Sequence, residues 1–205
     1  MKAADSPNAR LDFTTGYFSI NPIYASLILR GRFKSNIITA SPQANGFYGS
    51  KGISRHLPAA YTWLESLFDA KLRARRRDGH VTVREWYNRA GHITPRVSCA
   101  QWWSRKAVLT CTLPGIWLFP PSRAAPCVTL LVSSNFGTRS ASLDLECTLL
   151  IDASQSPTIQ RRLGEELAEL GKDANDVVGP AMFEREERRV HWAVKVAAWF
   201  IKRML

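Results

Sequence analysis

A polar stretch between two apolar runs constrains the fold of this chain more than any other feature. Residues 133–140 read SSNFGTRS, and they follow the β-branched run Val128–Val132 and precede a second apolar run at residues 148–151. Short apolar runs bounded by turn residues predict buried β-strands. The sequence therefore predicts a loop that leaves one buried strand and leads into the next.

The composition of this loop suits the binding of a phosphate group. Its small residues allow close approach of the backbone, and Arg139 can offer a planar pair of donors to phosphate oxygens. Asn135 in the loop and Glu146 just after it can orient a neighbouring side chain. Ordinary turn chemistry is the competing interpretation, because turns use the same residue types.

Helical periodicity, capping residues and short apolar runs divide the chain into alternating helices and strands. This alternation indicates an α/β layered domain. The predicted elements are a helix capped by Asn21 with Pro22 in its first turn, a strand at residues 36–40, a helix from Pro58 to about Arg75, a strand at Val81–Trp86, the two strands above, and a helix that starts at Ser156 and Pro157 and ends at Gly171. The side chains predicted to face inward are Ile23, Tyr24, Leu27 and Ile28, then Tyr61, Leu64, Leu67, Phe68 and Leu72, and finally Leu163, Leu167 and Leu170.

The chain is strongly basic. It has 28 Lys and Arg against 17 Asp and Glu, a net charge of +11 over 205 residues. Such a charge favours anionic partners, namely phospholipid headgroups, nucleotides or nucleic acid, although a generally basic solvated surface is the alternative. The 45% hydrophobic content allows a sizeable core, and no apolar run approaches the roughly 20 residues of a spanning helix.

The four cysteines do not predict a metal site. Cys99, Cys111, Cys127 and Cys147 contain no C-x-x-C pair, so we interpret them as reduced and mostly buried thiols. No metal and no cofactor is predicted.

Three other segments each allow two interpretations. The glycine-containing loop with Asn45 and Lys51 is either a ligand loop or a set of tight turns. The basic run at residues 71–77 could clamp an anionic lipid, but it is more typical of the solvated end of a helix. The tail at residues 190–205 fits a membrane-surface helix, and it fits better a terminal helix that docks on its own domain.

Several motifs resemble one family of lipid-synthesising enzymes. Residues 13–18 read FTTGYF, residues 36–42 NIITASP, residues 44–52 ANGFYGSKG, residues 57–61 LPAAY, residues 84–86 REW and residues 115–118 GIWL. Together with the loop at residue 133, these motifs resemble the second half of the eukaryotic CDP-diacylglycerol–glycerol-3-phosphate 3-phosphatidyltransferases, mitochondrial enzymes of the phospholipase D superfamily. The resemblance covers nearly the whole chain except residues 92–111, which are interpreted as an insertion or as a gene-model artefact.

The resemblance implies a fold and a mechanism. Members resemble two copies of one α/β domain, a mixed sheet flanked by helices, packed as a pseudo-dimer in which each half gives a His-x-Lys motif to a shared site. Residues 1–205 would then be a single phospholipase D-like domain, the C-terminal half of such an enzyme. One His attacks the phosphorus of CDP-diacylglycerol and the other is the general acid and base, while Lys neutralises phosphate oxygens. Glycerol 3-phosphate accepts the phosphatidyl group, and no metal is required.

The chain departs from this pattern at the catalytic motif. By alignment with the family, Thr112 stands at the His position and Pro114 at the Lys position, and no His-x-Lys pair occurs in the sequence. The resemblance assigns Ser133 and Asn135 to phosphate binding and Glu146 to orienting the catalytic His. Without that His, a buried Glu146 is expected to stay protonated or to pair with an Arg.

These observations predict a relative of the transferase that does not turn over CDP-diacylglycerol by itself. The alternative is a non-catalytic basic module that binds anionic lipid or an intact copy of the enzyme. Expected partners are an anionic membrane surface and either the missing first half or a second copy, whereas nucleic acid is a weaker option. By resemblance the protein is expected at the mitochondrial inner membrane, as a peripheral protein whose presequence lies outside this chain.

Overall fold

The computed structural model describes residues 6–87, 114–121, 123–133, 135–143 and 145–201. Within these residues, seven strands form one sheet with helices on both faces. The strands are β1 (Arg10–Thr15), β2 (Ser35–Ala40), β3 (Val81–Trp86), β4 (Gly115–Phe119), β5 (Val128–Val132), β6 (Thr148–Asp152) and β7 (Asp176–Val177). The helices are α1 (Pro22–Arg30), α2 (Leu57–Ala74), α3 (Thr138–Ser142), α4 (Pro157–Lys172), α5 (Pro180–Phe183) and α6 (Trp192–Ile201), with 3-10 turns at Pro42–Ala44, Gly52–His56 and Glu186–Arg188.

The order and direction of the strands place the C-terminal ends of several strands on the same side of the sheet. The order is β6-β5-β4-β1-β2-β3-β7, in which β1, β2 and β3 are parallel and the other pairs are antiparallel. The end of β1 lies beside the start of β4, with Thr14 opposite Gly115, and the end of β5 lies beside the start of β6, with Val132 opposite Thr148. We call this side, where β1, β2, β3 and β5 end, the carboxyl edge.

Two apolar layers cover the two faces of the sheet. Alternate side chains of β4 show the division, because Ile116 packs with α1 and α2 whereas Trp117 packs with α4. Trp117 is 1% exposed, and Leu163, Leu167 and Leu170 of α4 are buried against it, which confirms the predicted inward face of that helix. Burial of this apolar surface is the main force that holds the helices on the sheet.

The predicted caps at two helix starts are confirmed. Asn21 Oδ1 accepts a hydrogen bond from the amide of Ile23 at 2.9 Å, and Ser156 Oγ accepts one from the amide of Ile159 at 3.4 Å. Each cap satisfies an amide that has no partner inside its helix. A proline follows each cap residue, where its missing N–H costs nothing.

The predicted inward faces of α1 and α2 are partly wrong. Ile28 is buried as expected, but Ile23, Tyr24 and Leu27 are exposed, and Leu67 of α2 is also exposed. In α2 the buried stripe includes three polar side chains, Thr62, Glu65 and Asp69, beside the apolar Pro58, Ala60, Phe68 and Leu72. A helix can turn polar residues inward when they find partners there, as those of α2 do.

The C-terminal helix α6 docks on its own domain but leaves an apolar face uncovered. It packs on α2, and Ala198 is buried at that contact. Trp192, Val196 and Phe200 are exposed. Among the described residues, no helix combines the length and the apolar character that crossing a membrane requires.

Candidate functional site

The predicted phosphate loop lies at the carboxyl edge. It leaves the end of β5 and returns at the start of β6, beside the end of β1 and the start of β4. In open α/β sheets, ligands bind outside the carboxyl ends of the strands, because loops and helix starts converge there. The residues predicted from the loop are therefore placed where such a sheet offers a site.

Ser133 and Glu146 contact each other across the mouth of the loop. The Ser133 hydroxyl donates to the Glu146 carboxylate and accepts from the amide of Cys147 at 2.9 Å, and the Ser133 amide donates to the carbonyl of Cys147 at 3.0 Å. These bonds extend the pairing of β5 with β6 by one residue. Glu146 is exposed, and its side-chain partner among the described residues is the Ser133 hydroxyl.

Asn135 fastens the loop to the first strand. Its side-chain oxygen accepts from Thr15 Oγ1 at 3.2 Å and from the amide of Tyr17 at 3.3 Å. The carbonyl of the next residue, Phe136, accepts from the amide of Asn21 at 2.7 Å. The amide oxygen of Asn135 is thus used by the fold, and only its NH2 group remains to donate to a ligand.

Arg139 lies beside a pair of stacked tyrosines. It is exposed on the short helix α3, within the stretch that the sequence predicted as loop. The rings of Tyr17 and Tyr61 stack with centroids 5.2 Å apart. Burial and, to a smaller extent, the adjacent Tyr17 raise the pKa of Tyr61 to about 12, against the opposing positive charge of Arg139. Both phenols therefore stay protonated at neutral pH and can act as donors.

The glycine-containing loop after β2 is built from tight turns. The Asn45 side chain is buried and its oxygen accepts from the amide of Phe47 at 2.9 Å. Gly49 and Gly52 have φ values of 72° and 69°, which L side chains rarely adopt. This geometry favours the structural interpretation of Asn45. Lys51 is exposed, and its side chain makes no ion pair with any described residue.

Pro114, which the family resemblance aligns with the Lys position, is buried. Pro114 stands directly before β4 at the carboxyl edge, and its carbonyl accepts from the amide of Val132 at 3.0 Å. Proline has neither a charge nor an N–H to offer a phosphate. Thr112, which the resemblance aligns with the His position, lies outside the described residues, as does the whole predicted insertion at residues 92–111 with Cys99 and Cys111.

A buried ionic cluster near the carboxyl edge was not predicted from the sequence. Arg188 donates through both of its terminal nitrogens to the two oxygens of Glu85, one bond measuring 2.6 Å. Glu65 of α2 lies beside Glu85, and all three side chains are buried. Burial raises the pKa of Glu65 well above its ordinary value, and the charge of Glu85 raises it further, so Glu65 keeps a proton that it donates to Glu85.

One signal could have revealed this cluster. Glu65 and Asp69 fall on the same helical stripe as Phe68 and Leu72, so a turn of α2 that buries Phe68 also buries carboxylates. A buried carboxylate requires a partner. The sequence does not indicate that Glu65 meets Glu85, or that Glu85 pairs with Arg188 more than a hundred residues further along the chain.

The described residues do not form a metal site. Within residues 6–87, 114–121 and the later described ranges, no group of three His, Cys, Asp or Glu side chains is arranged to hold a metal ion. Cys127 is buried and Cys147 is exposed, and both are free thiols.

Comparison with known proteins identifies the relatives of the chain, although no protein-family model matches it. It is 34% identical over 194 residues to the mitochondrial CDP-diacylglycerol–glycerol-3-phosphate 3-phosphatidyltransferase of Bos taurus and 32% identical over 194 residues to that of Homo sapiens. The Saccharomyces cerevisiae CDP-diacylglycerol–glycerol-3-phosphate 3-phosphatidyltransferase is 35% identical over 199 residues. The chain is homologous to these phosphatidyltransferases. The family resemblance predicted from the motifs is confirmed.

The match covers nearly all of this chain but a much smaller share of each relative. It includes 95% of this chain but 31% of the bovine and human proteins, and 94% of this chain but 36% of the yeast protein. The chain therefore spans about a third of the length of these relatives.

A solved structure confirms the fold class. The phosphatidylserine synthase of Haemophilus influenzae Rd KW20 superposes with a TM-score of 0.67 at 20% identity, over 96% of this chain and 42% of that one. At this identity the match shows the fold. The predicted α/β class, with a mixed sheet flanked by helices, is confirmed.

Proposed function

We propose that this chain is the C-terminal half of a phosphatidyltransferase that moves a phosphatidyl group from CDP-diacylglycerol to glycerol 3-phosphate. The product is phosphatidylglycerophosphate, a precursor in cardiolipin synthesis. The observation that carries the proposal is the homology along 95% of the chain to enzymes with this name. The placement of Ser133, Asn135 and Glu146 at the carboxyl edge supports it.

The groups at this edge have the chemistry that phosphate binding needs. Arg139 offers a guanidinium fork, Asn135 its NH2 group and Lys51 a mobile ammonium. The Tyr61 hydroxyl, held protonated beside Arg139, is a further donor. These groups can bind and orient the phosphate of a lipid substrate, but none of them is an imidazole that could attack phosphorus.

The chemical step needs groups from elsewhere. In the family scheme, an imidazole nitrogen forms a bond to phosphorus while the bond to CMP breaks, and a second His protonates the leaving group. A hydroxyl of glycerol 3-phosphate then attacks phosphorus, loses its proton to that His, and breaks the phosphorus–nitrogen bond. Thr112 cannot form the phosphohistidine, and Pro114 cannot neutralise the oxygens. We therefore propose that the chain does not transfer the phosphatidyl group by itself. The first half of the enzyme would supply one of the two imidazoles, and an intact copy would supply both.

An assay of CMP release tests the proposed inactivity. Purified chain with CDP-diacylglycerol in mixed micelles and glycerol 3-phosphate is expected to release CMP no faster than heat-killed chain, because both His-x-Lys motifs are absent. The intact yeast relative is the positive control for the micelles and the detection. CMP release above the heat-killed control, proportional to the amount of chain, would contradict the proposal.

We propose a peripheral position at the mitochondrial inner membrane. The names of the animal relatives include this organelle, which supports the location but not the particular membrane. A chain whose substrate is a diacyl lipid needs access to a membrane surface, and a net charge of +11 favours an anionic one.

A second candidate is a non-catalytic module that binds anionic lipid. The observation that favours it is the uncovered face of α6, where Trp192 is 70% and Phe200 71% exposed with Lys195 between them. Aromatic side chains and a lysine on one helix suit the membrane interface. Binding to an intact copy of the enzyme is the other form of this candidate.

A further inference from the structure

An open groove separates α1 from α2 on one face of the sheet. Its volume is about 590 Å³, within the range of sites that hold small molecules. The apolar walls are formed by Phe18, Ile20, Leu29, Leu64, Leu67 and Phe68. Leu67 was predicted to lie in the core, and its exposure follows from its position on the wall of this groove.

Three cations line the same groove. Both helices connect neighbouring parallel strands on one face, so they run in the same direction and their C-terminal ends lie side by side. Arg30 comes from the last turn of α1, and Lys71 and Arg75 from the end of α2. Among the described side chains, no carboxylate forms an ion pair with any of the three.

Four of the five cations in the basic run at residues 71–77 form two pairs with different surroundings. Arg73 pairs with Asp69, and Arg77 donates to the carbonyl of Phe33 at 2.7 Å, so these two serve the fold. Lys71 and Arg75 face the groove without such partners. A favourable interaction with the helix dipole explains why cations are found at the end of α2. It does not explain why three of them border an open apolar groove.

We propose that this groove binds one molecule of anionic phospholipid, with an acyl chain along the apolar walls and the phosphate held by Arg30, Lys71 and Arg75. The apolar acyl chain suits the apolar walls of the groove, and the negative phosphate suits its three cations. An acyl chain removes the apolar walls from water, and a phosphate relieves the repulsion among three neighbouring cations. The proposal rests on the proposed association with lipid, but it does not require the chain to be catalytic.

The groove is separate from the candidate site but reaches it. Its cations lie where the two helices end, away from the carboxyl edge. Its other end is lined by Ser19, Pro22 and Thr138, and Thr138 begins the helix that carries Arg139. A lipid in the groove would therefore be a bound membrane lipid in addition to the substrate, in contact with the helix that bears the candidate phosphate ligand.

Binding of a short-chain lipid to the full chain tests this proposal. The probes are dihexanoyl phosphatidic acid and dihexanoyl phosphatidylcholine at monomeric concentrations, with binding measured by calorimetry. We expect the acid to bind and the choline lipid to bind at least tenfold more weakly. The double variant K71Q/R75Q should weaken binding of the acid about 30-fold, since each cation near an anionic lipid contributes about a factor of five.

Two more variants separate this site from general electrostatics and from a folding defect. R161Q/R162Q removes two charges from α4 on the other face of the sheet and should leave the affinity for phosphatidic acid unchanged. Ser26→Phe fills the groove and should abolish binding; if that chain does not fold, K71Q/R75Q decides. Equal affinity for the two lipids, unchanged binding by K71Q/R75Q, or an equal loss in R161Q/R162Q would overturn the proposal.

Two further measurements separate a failure of the proposed lipid site from a failure of the proposed function. Co-sedimentation of the wild-type chain with phosphatidylglycerol-containing liposomes reports membrane association, to which α6 also contributes. If the chain co-sediments with the liposomes but does not bind monomeric phosphatidic acid, the proposed lipid site in the groove is wrong and membrane association is not affected. CMP release above the heat-killed control overturns the proposed inactivity and leaves the groove untouched.

Discussion

Replacing Arg188 by Met is expected to lower the free energy of unfolding by about 3–5 kcal/mol, because Glu85 then stays buried without a counter-charge. The guanidinium of Arg188 makes two bonds to Glu85, and both side chains are almost completely buried. Met has a similar length, so the loss of packing is small. Urea unfolding monitored by tryptophan fluorescence measures the change.

The neighbouring arginine provides a matched control. Arg189 is exposed, and Arg189→Met should change the free energy of unfolding by less than about 0.5 kcal/mol. If Arg188→Met also changed it by less than about 1 kcal/mol, the buried ion pair would not hold the segment after α5 to β3 and α2, and our description of the cluster would be wrong.

Replacing Glu65 by Gln is expected to remove a loss of stability that occurs as the pH rises above the ordinary pKa of Glu. Folding raises the pKa of the Glu65 carboxyl well above its ordinary value, first by burial and then by the charge of Glu85. The folded chain therefore holds a proton that the unfolded chain releases near the ordinary pKa of Glu, about 4.3. The stabilisation is complete below that pH and is lost as the pH rises toward the folded-state pKa, at about 1.4 kcal/mol per pH unit for one proton.

The amide of Gln can donate to Glu85 as the protonated carboxyl does, and it does not titrate. Urea unfolding of both chains between pH 5 and pH 9 should give a difference in stability that grows in favour of Glu65→Gln as the pH rises. Other groups with a raised pKa, such as Asp12 and Tyr61, occur in both chains and cancel in this difference. A difference that does not vary with pH would show that Glu65 is ionised in the folded chain.

Elements with strong local signals could be predicted from the sequence. The α4 helix has a cap at Ser156, a proline after it and leucines at helical spacing, and β3 alternates in burial as its sequence does. In both cases the residues that define the element lie within it. The loop at residue 133 was placed correctly between β5 and β6 for the same reason.

Features that depend on distant residues could not be predicted. Asn135 binds Thr15 across 120 positions of the sequence, and Arg188 binds Glu85 across 103. Spacing in the sequence indicates that Glu65 can turn inward, but only the fold supplies its neighbours. The strands β1 and β4 were not predicted as strands, and in β1 the pattern includes buried polar residues such as Asp12 and Thr14.

In the candidate site too, contacts between residues close in the sequence could be predicted and contacts between distant residues could not. The loop residues Ser133 and Glu146 were expected to act near each other, and a direct bond joins them. The stacked tyrosines beside Arg139 were not expected, since Tyr17 follows β1 and Tyr61 lies in α2. A ligand site formed by several elements requires the topology of the sheet, which local patterns do not give.

Covalent labelling tests the central claim most directly. The claim is that this chain lacks the imidazole and ammonium pair that phosphatidyl transfer requires. Purified chain is incubated with CDP-diacylglycerol labelled at its lipid phosphate, quenched in base and analysed for label on protein, beside the intact yeast relative. We predict that no acid-labile, base-stable label remains on this chain. A phosphoramidate mapped to one of its four histidines would contradict the account.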